Sequence, residues 1–201
     1  MGGAAVTYRQ ILRELAFDAH GVVTLDAARA AGVPEVSVRQ LAERGALERL
    51  GKGVYRMTEM PRGALDEFAE AVALVGGDAV LADEAVLAAH DLAQVNLRRI
   101  KVAVPSPSRV RQELPRTIDV VRRRVPEADR DAVDGIPSMS ITAALIASIG
   151  RVMPERLLDA AQQARARSLI SAADLDQVTQ TINSAGRKSR RTPTGKEGDT
   201  A

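Results

Sequence analysis

Cysteine and tryptophan are absent from this chain, and Tyr8, Phe17, Tyr55 and Phe68 are its only aromatic residues. Without cysteine there are no disulfides and no thiolate metal sites, which fits a reducing compartment. With so few aromatics the core must be aliphatic, and a small-molecule pocket would have few anchors. Histidine is scarce too. His20 and His90 alone give almost no material for His-based metal sites or acid–base triads. No stretch approaches the roughly 18 apolar residues of a membrane span; Ile141–Ile149 comes nearest and reads as a buried helix. The N-terminus lacks the charged-then-apolar layout of a secretory signal, so a cytoplasmic protein with no membrane association is expected.

Chemistry-bearing motifs are equally thin. Gly76-Gly77 has neither the Lys-Ser/Thr nor the third glycine of a phosphate-binding loop. Asp174-Leu175-Asp176 lacks the Gly-Ser that precedes the paired metal-binding aspartates of nucleotidyltransferases. Glu127, Asp129, Asp131 and Asp134 lack the EF-hand glycine and read as a solvated acidic loop. His90, after an apolar stretch, reads as a helix-terminal residue. The expectation is a protein that is not an enzyme and has no cofactor and no metal site.

What the chain does have is a patterned segment from Thr24 to Arg56, TLDAARAAGVPEVSVRQLAERGALERLGKGVYR. Thr24 suits a helix N-cap, Leu25, Ala28 and Ala31 fall at helical spacing, and Gly32 supplies a turn. A second helix is predicted from Pro34, with Val38, Leu41 and Ala42 on one face and Gly45 just past its end. Ala46–Leu50 and Val54–Arg56 favour strand, joined by Gly51-Lys52-Gly53. Helix, turn, helix and hairpin is the outline of a winged helix-turn-helix, whose second helix fits the DNA major groove. Facing away from the apolar stripe are Glu35, Val36, Arg39, Gln40 and Glu43. Arg39 and Gln40 carry suitable donor geometry for guanine and adenine edges. Lys52 at the hairpin tip, flanked by Arg49 and Arg56, is placed to reach phosphate or the minor groove. Glu35 and Glu43 oppose this, because carboxylates repel phosphate.

The 201 residues allow one large or two small domains. Thr7–Ala19 is predicted as the first helix, with Tyr8, Ile11, Leu12 and Leu15 as its apolar stripe. Val22-Val23 is expected to pair with the hairpin. Pro61-Arg62-Gly63 marks the boundary between residues 1–62 and a second domain over 63–185. In that domain helices are expected over Ala64–Leu74 and Asp83–His90. Ile100–Val104 and Ile118–Val125 read as strands, and Asp134-Gly135-Ile136-Pro137 reads as a turn into a third short strand or an edge, where proline is tolerated. Three helices follow, over Ile141–Ile149, Pro154–Arg167 and Ala172–Ala185, with Ser171 and Asp174 as a capping box before the last. Residues 186–201 lose apolar side chains and are expected to form a basic disordered tail. The fold class is therefore α+β and predominantly helical: a winged helix-turn-helix, then a domain with a small sheet and several helices.

The net charge of +2 hides a segregation. Residues 63–97 carry seven acidic and no basic side chains, whereas 98–124 carry nine basic and two acidic ones. Two readings stand side by side. In one, the basic residues pair with the acidic segment of the same domain. Alternatively Arg98, Arg99, Lys101, Arg109, Arg111, Arg116, Arg122 and Arg124 form a face for an acidic partner or nucleic acid, with Arg187, Lys188, Arg190 and Arg191 adding phosphate contacts.

The order of pieces resembles the AbiEi-like antitoxins of bacterial toxin–antitoxin pairs. The residues that carry it are Gly21-Val22, Thr24, Ala28, Ala31-Gly32-Val33, Leu41, Arg44-Gly45, Leu47-Glu48-Arg49 and Gly53-Val54-Tyr55. It continues through His90-Asp91-Leu92, Val104-Pro105, Val133-Asp134-Gly135-Ile136-Pro137 and Leu169–Leu175. The resemblance implies autorepression at inverted repeats in operator DNA and a C-terminal domain that counters a cognate nucleotidyltransferase-like toxin, directly or indirectly. Family members place polar or basic residues where this chain has Pro34, Glu35 and Val36. That shifts the expected DNA contacts to Arg39, Gln40, Arg44, Arg49, Lys52 and Arg56. Two other functions use the same fold: a protein-interaction module, and a ligand-sensing transcription factor.

Overall fold

The computed structural model describes residues 7–95, 97–105 and 113–190. Among them the chain forms eight α-helices and two β-sheets, an α+β arrangement. The N-terminal unit runs α1 (Tyr8–Phe17), β1 (Val22–Thr24), α2 (Leu25–Ala30), α3 (Glu35–Glu43), β2 (Leu47–Gly51) and β3 (Val54–Met57). Local chemistry accounts for each boundary. Thr7 and Gln10 close a capping box at the start of α1. Thr24 Oγ1 accepts from the Ala27 amide, 3.1 Å away, at the start of α2. Pro34 occupies the N-cap of α3 rather than its first helical position, and Gly45 follows its end with positive φ. Leu12 and Ala16 of α1 are buried and Ile11 and Leu15 partly so, but Tyr8 stays exposed because core contact begins only at Ile11.

The three strands pair antiparallel in the order β1-β3-β2, so β3 is central. All four residues of β3 are buried, which requires cover on both faces of the sheet. Tyr55 and Met57 face the helices α1–α3 together with Val23, whereas Val54 and Val22 belong to the larger core of the following unit. The back of the small sheet is thus packed against α4 (Asp66–Val75).

Beyond α4 lie β4 (Val80–Leu81), α5 (Glu84–Ala89), β5 (Ile100–Val104), β6 (Ile118–Arg122), β7 (Arg130–Val133) and β8 (Ile136–Met139). Three helices complete the described chain: α6 (Ile141–Ala147), α7 (Pro154–Ala166) and α8 (Ala172–Arg190). The mixed sheet has the order β6-β5-β4-β8-β7. Two strands depart from expectation. The two-residue β4 is too short to show a period in sequence, yet it is the centre of the sheet. The acidic stretch expected as a loop instead makes a 3₁₀ turn at Glu127–Asp129 and then β7, which pairs with β8 across an Asp134-Gly135 turn of positive φ. Pro137 therefore sits in an interior strand, not an edge. Its missing N–H is tolerated because β8 registers with β4 only at Leu81↔Ser138.

Ser140 caps α6, Pro154 opens α7, and Ser171 with Asp174 forms the capping box of α8. That last helix continues through Gly186 to Arg190, so the expected disordered tail does not begin at residue 186; Arg191 lies outside the described residues. No described helix is long and apolar enough to cross a membrane.

Candidate nucleic-acid interface

Helix α3 buries Val38 and half-buries Leu41 and Ala42, which turns Val36, Arg39, Gln40, Glu43 and Arg44 outward. Arg39 has 65% of its side chain in solvent and is ion-paired one helical turn back to Glu35. Such an exposed i,i+4 pair contributes only about 0.3–0.5 kcal/mol, so it orients the guanidinium without locking it. On the hairpin, Arg49 is exposed and donates from Nε to the Gly51 carbonyl at 3.2 Å, which folds it along the turn that carries Lys52.

One flank of α3 and the hairpin form a wall of an open groove of about 1750 Å³. That wall carries Arg29, Arg39, Arg49 and Lys52 among Asp26, Glu35 and Glu43; the opposite wall is Val72–Gly77 at the end of α4, with Pro137. Arg29, paired to Asp26 at 2.8 Å, was not among the expected contacts. It lies on α2 outside the second helix and the hairpin, and only the packing of α2 beside α3 brings it to the groove. Five of the six residues expected to meet DNA (Arg39, Gln40, Arg44, Arg49 and Lys52) are exposed on α3, at its end, or on the hairpin.

Arg56 is the exception, and its expected role is corrected. It is 3% exposed. Strand alternation puts it on the Val54 face of β3, toward α4, where it reaches Asp66 at 2.6 Å and Glu70 at 3.3 Å. It also donates to the carbonyls of His20 and Pro61. This guanidinium ties the small sheet to α4 and is unavailable to any ligand. It explains Gly21 as well. That residue has φ +83°, and a Cβ there would lie 2.9 Å from Arg56 Nη1.

The basic segment divides in the same way. Lys101 is mostly buried and paired with Asp83 at 3.4 Å and Glu84 at 2.9 Å, so it is withdrawn from the expected basic face. Arg123 also reaches Asp83, and Arg151 reaches Asp83 at 2.7 Å and Glu84. Burial alone would raise the Glu84 pKa, but hydrogen bonds from Lys101, its own backbone amide and Arg151 hold it below the usual carboxylate value. The intramolecular reading thus holds for Lys101 and Arg123. Arg98, Arg99, Arg116, Arg122 and Arg124 are exposed. Arg109 and Arg111 lie outside the described residues.

Residues 10–58 match the family described as transcriptional regulator, AbiEi antitoxin. The AbiEi match spans α1 to the end of β3 and stops before α4. No curated protein gives a significant match. Among solved structures, the chain is similar to the crystal structure of the RV2827C protein from Mycobacterium tuberculosis, at 19% identity and a TM-score of 0.45. That alignment covers 90% of this chain and 77% of the other.

Proposed function

We propose that the N-terminal unit is a winged helix-turn-helix that binds DNA, with α3 in the major groove and the β2–β3 hairpin as its wing. The observation that carries this is the shared exposure of Arg39, Gln40, Arg44, Arg49 and Lys52 on α3 and the hairpin within the AbiEi-matching segment. Arg39 would supply base recognition and Lys52 phosphate affinity. By analogy with that family, the protein acts in the cytoplasm as an antitoxin. It represses its own operon at inverted repeats, and residues 63–185 serve to counter a nucleotidyltransferase-like toxin. The exposed arginines Arg98, Arg99, Arg122 and Arg124 are the proposed face for an acidic partner. A mobility-shift titration of the full chain on the DNA upstream of its own gene tests the repressor reading. A salt-sensitive, saturable shift is expected, and no shift at low salt would remove it.

A second reading, ligand sensing, is favoured by one feature. A mainly apolar cavity of about 290 Å³ lies between α1 and β1 on one side and α4 and β8 on the other, lined by Leu15, Ala19, Val22, Val72 and Ile136. A small apolar effector seated there would bias the packing between the two units. Thermal-shift screening with small apolar compounds tests it; DNA affinity unchanged by every stabilising compound would set it aside.

A further inference from the structure

One of the two side chains that face most directly away from the buried stripe of α3 is apolar. At about 100° per residue, Val36 and Gln40 each lie about 160° around the helix from the buried Val38, farther from the core than Arg39 at about 100°. Val36 is 59% exposed, one of few large apolar side chains left in water among the described residues. A lone exposed valine on a random surface would mean little. Its position here is specific. Val36 is the second residue of α3, in the turn that a groove-reading helix presents to base edges. Arg39 and Gln40 follow at i+3 and i+4 on the same exposed face.

Valine can neither donate nor accept a hydrogen bond. In the major groove of unmodified DNA the apolar feature it can meet is the C5-methyl of thymine. A β-branched side chain in a helix is held in one χ1 well, so its methyls are presented ready-oriented. Glu35, the neighbour that would otherwise repel the backbone, is occupied by Arg39.

Resting on the DNA-binding reading above, we propose that Val36 is a specificity-determining residue that reads a thymine methyl, in the base pair next to the one contacted by Arg39. The test uses the full chain and a library of synthetic random duplexes enriched by binding. Each thymine of the enriched half-site is then replaced singly by uracil, which removes only the methyl. One position is expected to lose about fivefold in affinity, the scale of one methyl withdrawn from an apolar contact. Val36→Ala, verified as folded by circular dichroism and thermal unfolding, is expected to bind the thymine and uracil duplexes alike. Enrichment without any uracil effect, or a consensus lacking thymine, overturns the Val36 assignment and leaves DNA binding standing. So does a Val36→Ala protein that still discriminates. Failure to enrich any duplex at low salt overturns the DNA-binding reading itself, and this proposal with it.

Discussion

Arg56 illustrates how one strand position converts a surface expectation into a structural one. Its charge is nearly desolvated and satisfied by two carboxylates and two carbonyls. Removing one side of such a buried pair typically costs about 3–5 kcal/mol, because the partner charges stay behind. Arg56→Met is therefore expected to lower the unfolding free energy by about 3–5 kcal/mol, read as a lower denaturant midpoint at unchanged slope. An unchanged midpoint would show that Asp66 and Glu70 find water instead. Arg39 and Lys52 should behave differently from Arg56 and from each other. Under the DNA-binding proposal, Arg39→Ala weakens the preferred duplex by about 1–3 kcal/mol and leaves random duplex binding nearly intact. Lys52→Ala weakens all duplexes together and flattens the logarithmic salt slope by about 1. Binding isotherms at several salt concentrations separate the two patterns.

At the scale of elements, helix termini carry much of the local specification. Ser171 Oγ accepts from the Asp174 amide at 3.1 Å, and Asp174 Oδ2 accepts in return from the Ser171 amide at 2.9 Å. The Ser171 hydroxyl and amide together hold the Asp174 carboxyl below its usual value. Ser171→Ala should cost about 1 kcal/mol of stability, read by thermal unfolding at neutral pH. A depressed carboxylate stabilises the fold above its unfolded pKa and loses that contribution as pH falls through its folded one. The Ser171→Ala penalty should therefore shrink in acid. These caps were legible in sequence because they depend on residues three apart. The strands were less so. β4 has two residues and β7 was hidden among acidic side chains, since backbone pairing makes no demand on exposed positions.

At the scale of the molecule, the two units share a packed junction rather than a flexible link. Val22 and Val54 join the larger core, Arg56 bridges to α4, and His20 Nε2 lies 2.8 Å from the Asp134 carbonyl across the same junction. A fragment ending at residue 62 would expose this face, and is expected to show much lower hydrogen-exchange protection in β1 and β3 than the full chain. Equal protection would mean that the N-terminal unit stands alone. Burial, reinforced by the nearby Arg167 charge, lowers the His90 pKa from its ordinary value near 6.5, against a smaller opposing effect of Asp131. A histidine harder to protonate when folded leaves stability intact above the unfolded pKa and erodes it as pH drops below about 6.5. Unfolding midpoints measured from pH 7.5 to about 5 should decline in the natural chain. The decline should be shallower in His90→Gln.

Sequence by itself determined what depends on neighbours a few residues apart. The helix order of the N-terminal unit, its hairpin, the caps at Thr24 and Ser171, and the outward face of α3 all follow from spacing and turn chemistry. Tertiary structure alone decided which cations remain in water. Arg56, Lys101 and Arg123 read in sequence like any other arginine or lysine beside a strand. Each is paired with carboxylates on another element, on α4 or at the start of α5, and Arg56 and Lys101 are buried as well. Strand alternation sets the side on which a residue points. Whether that side is open depends on what packs against it, and no local pattern encodes that.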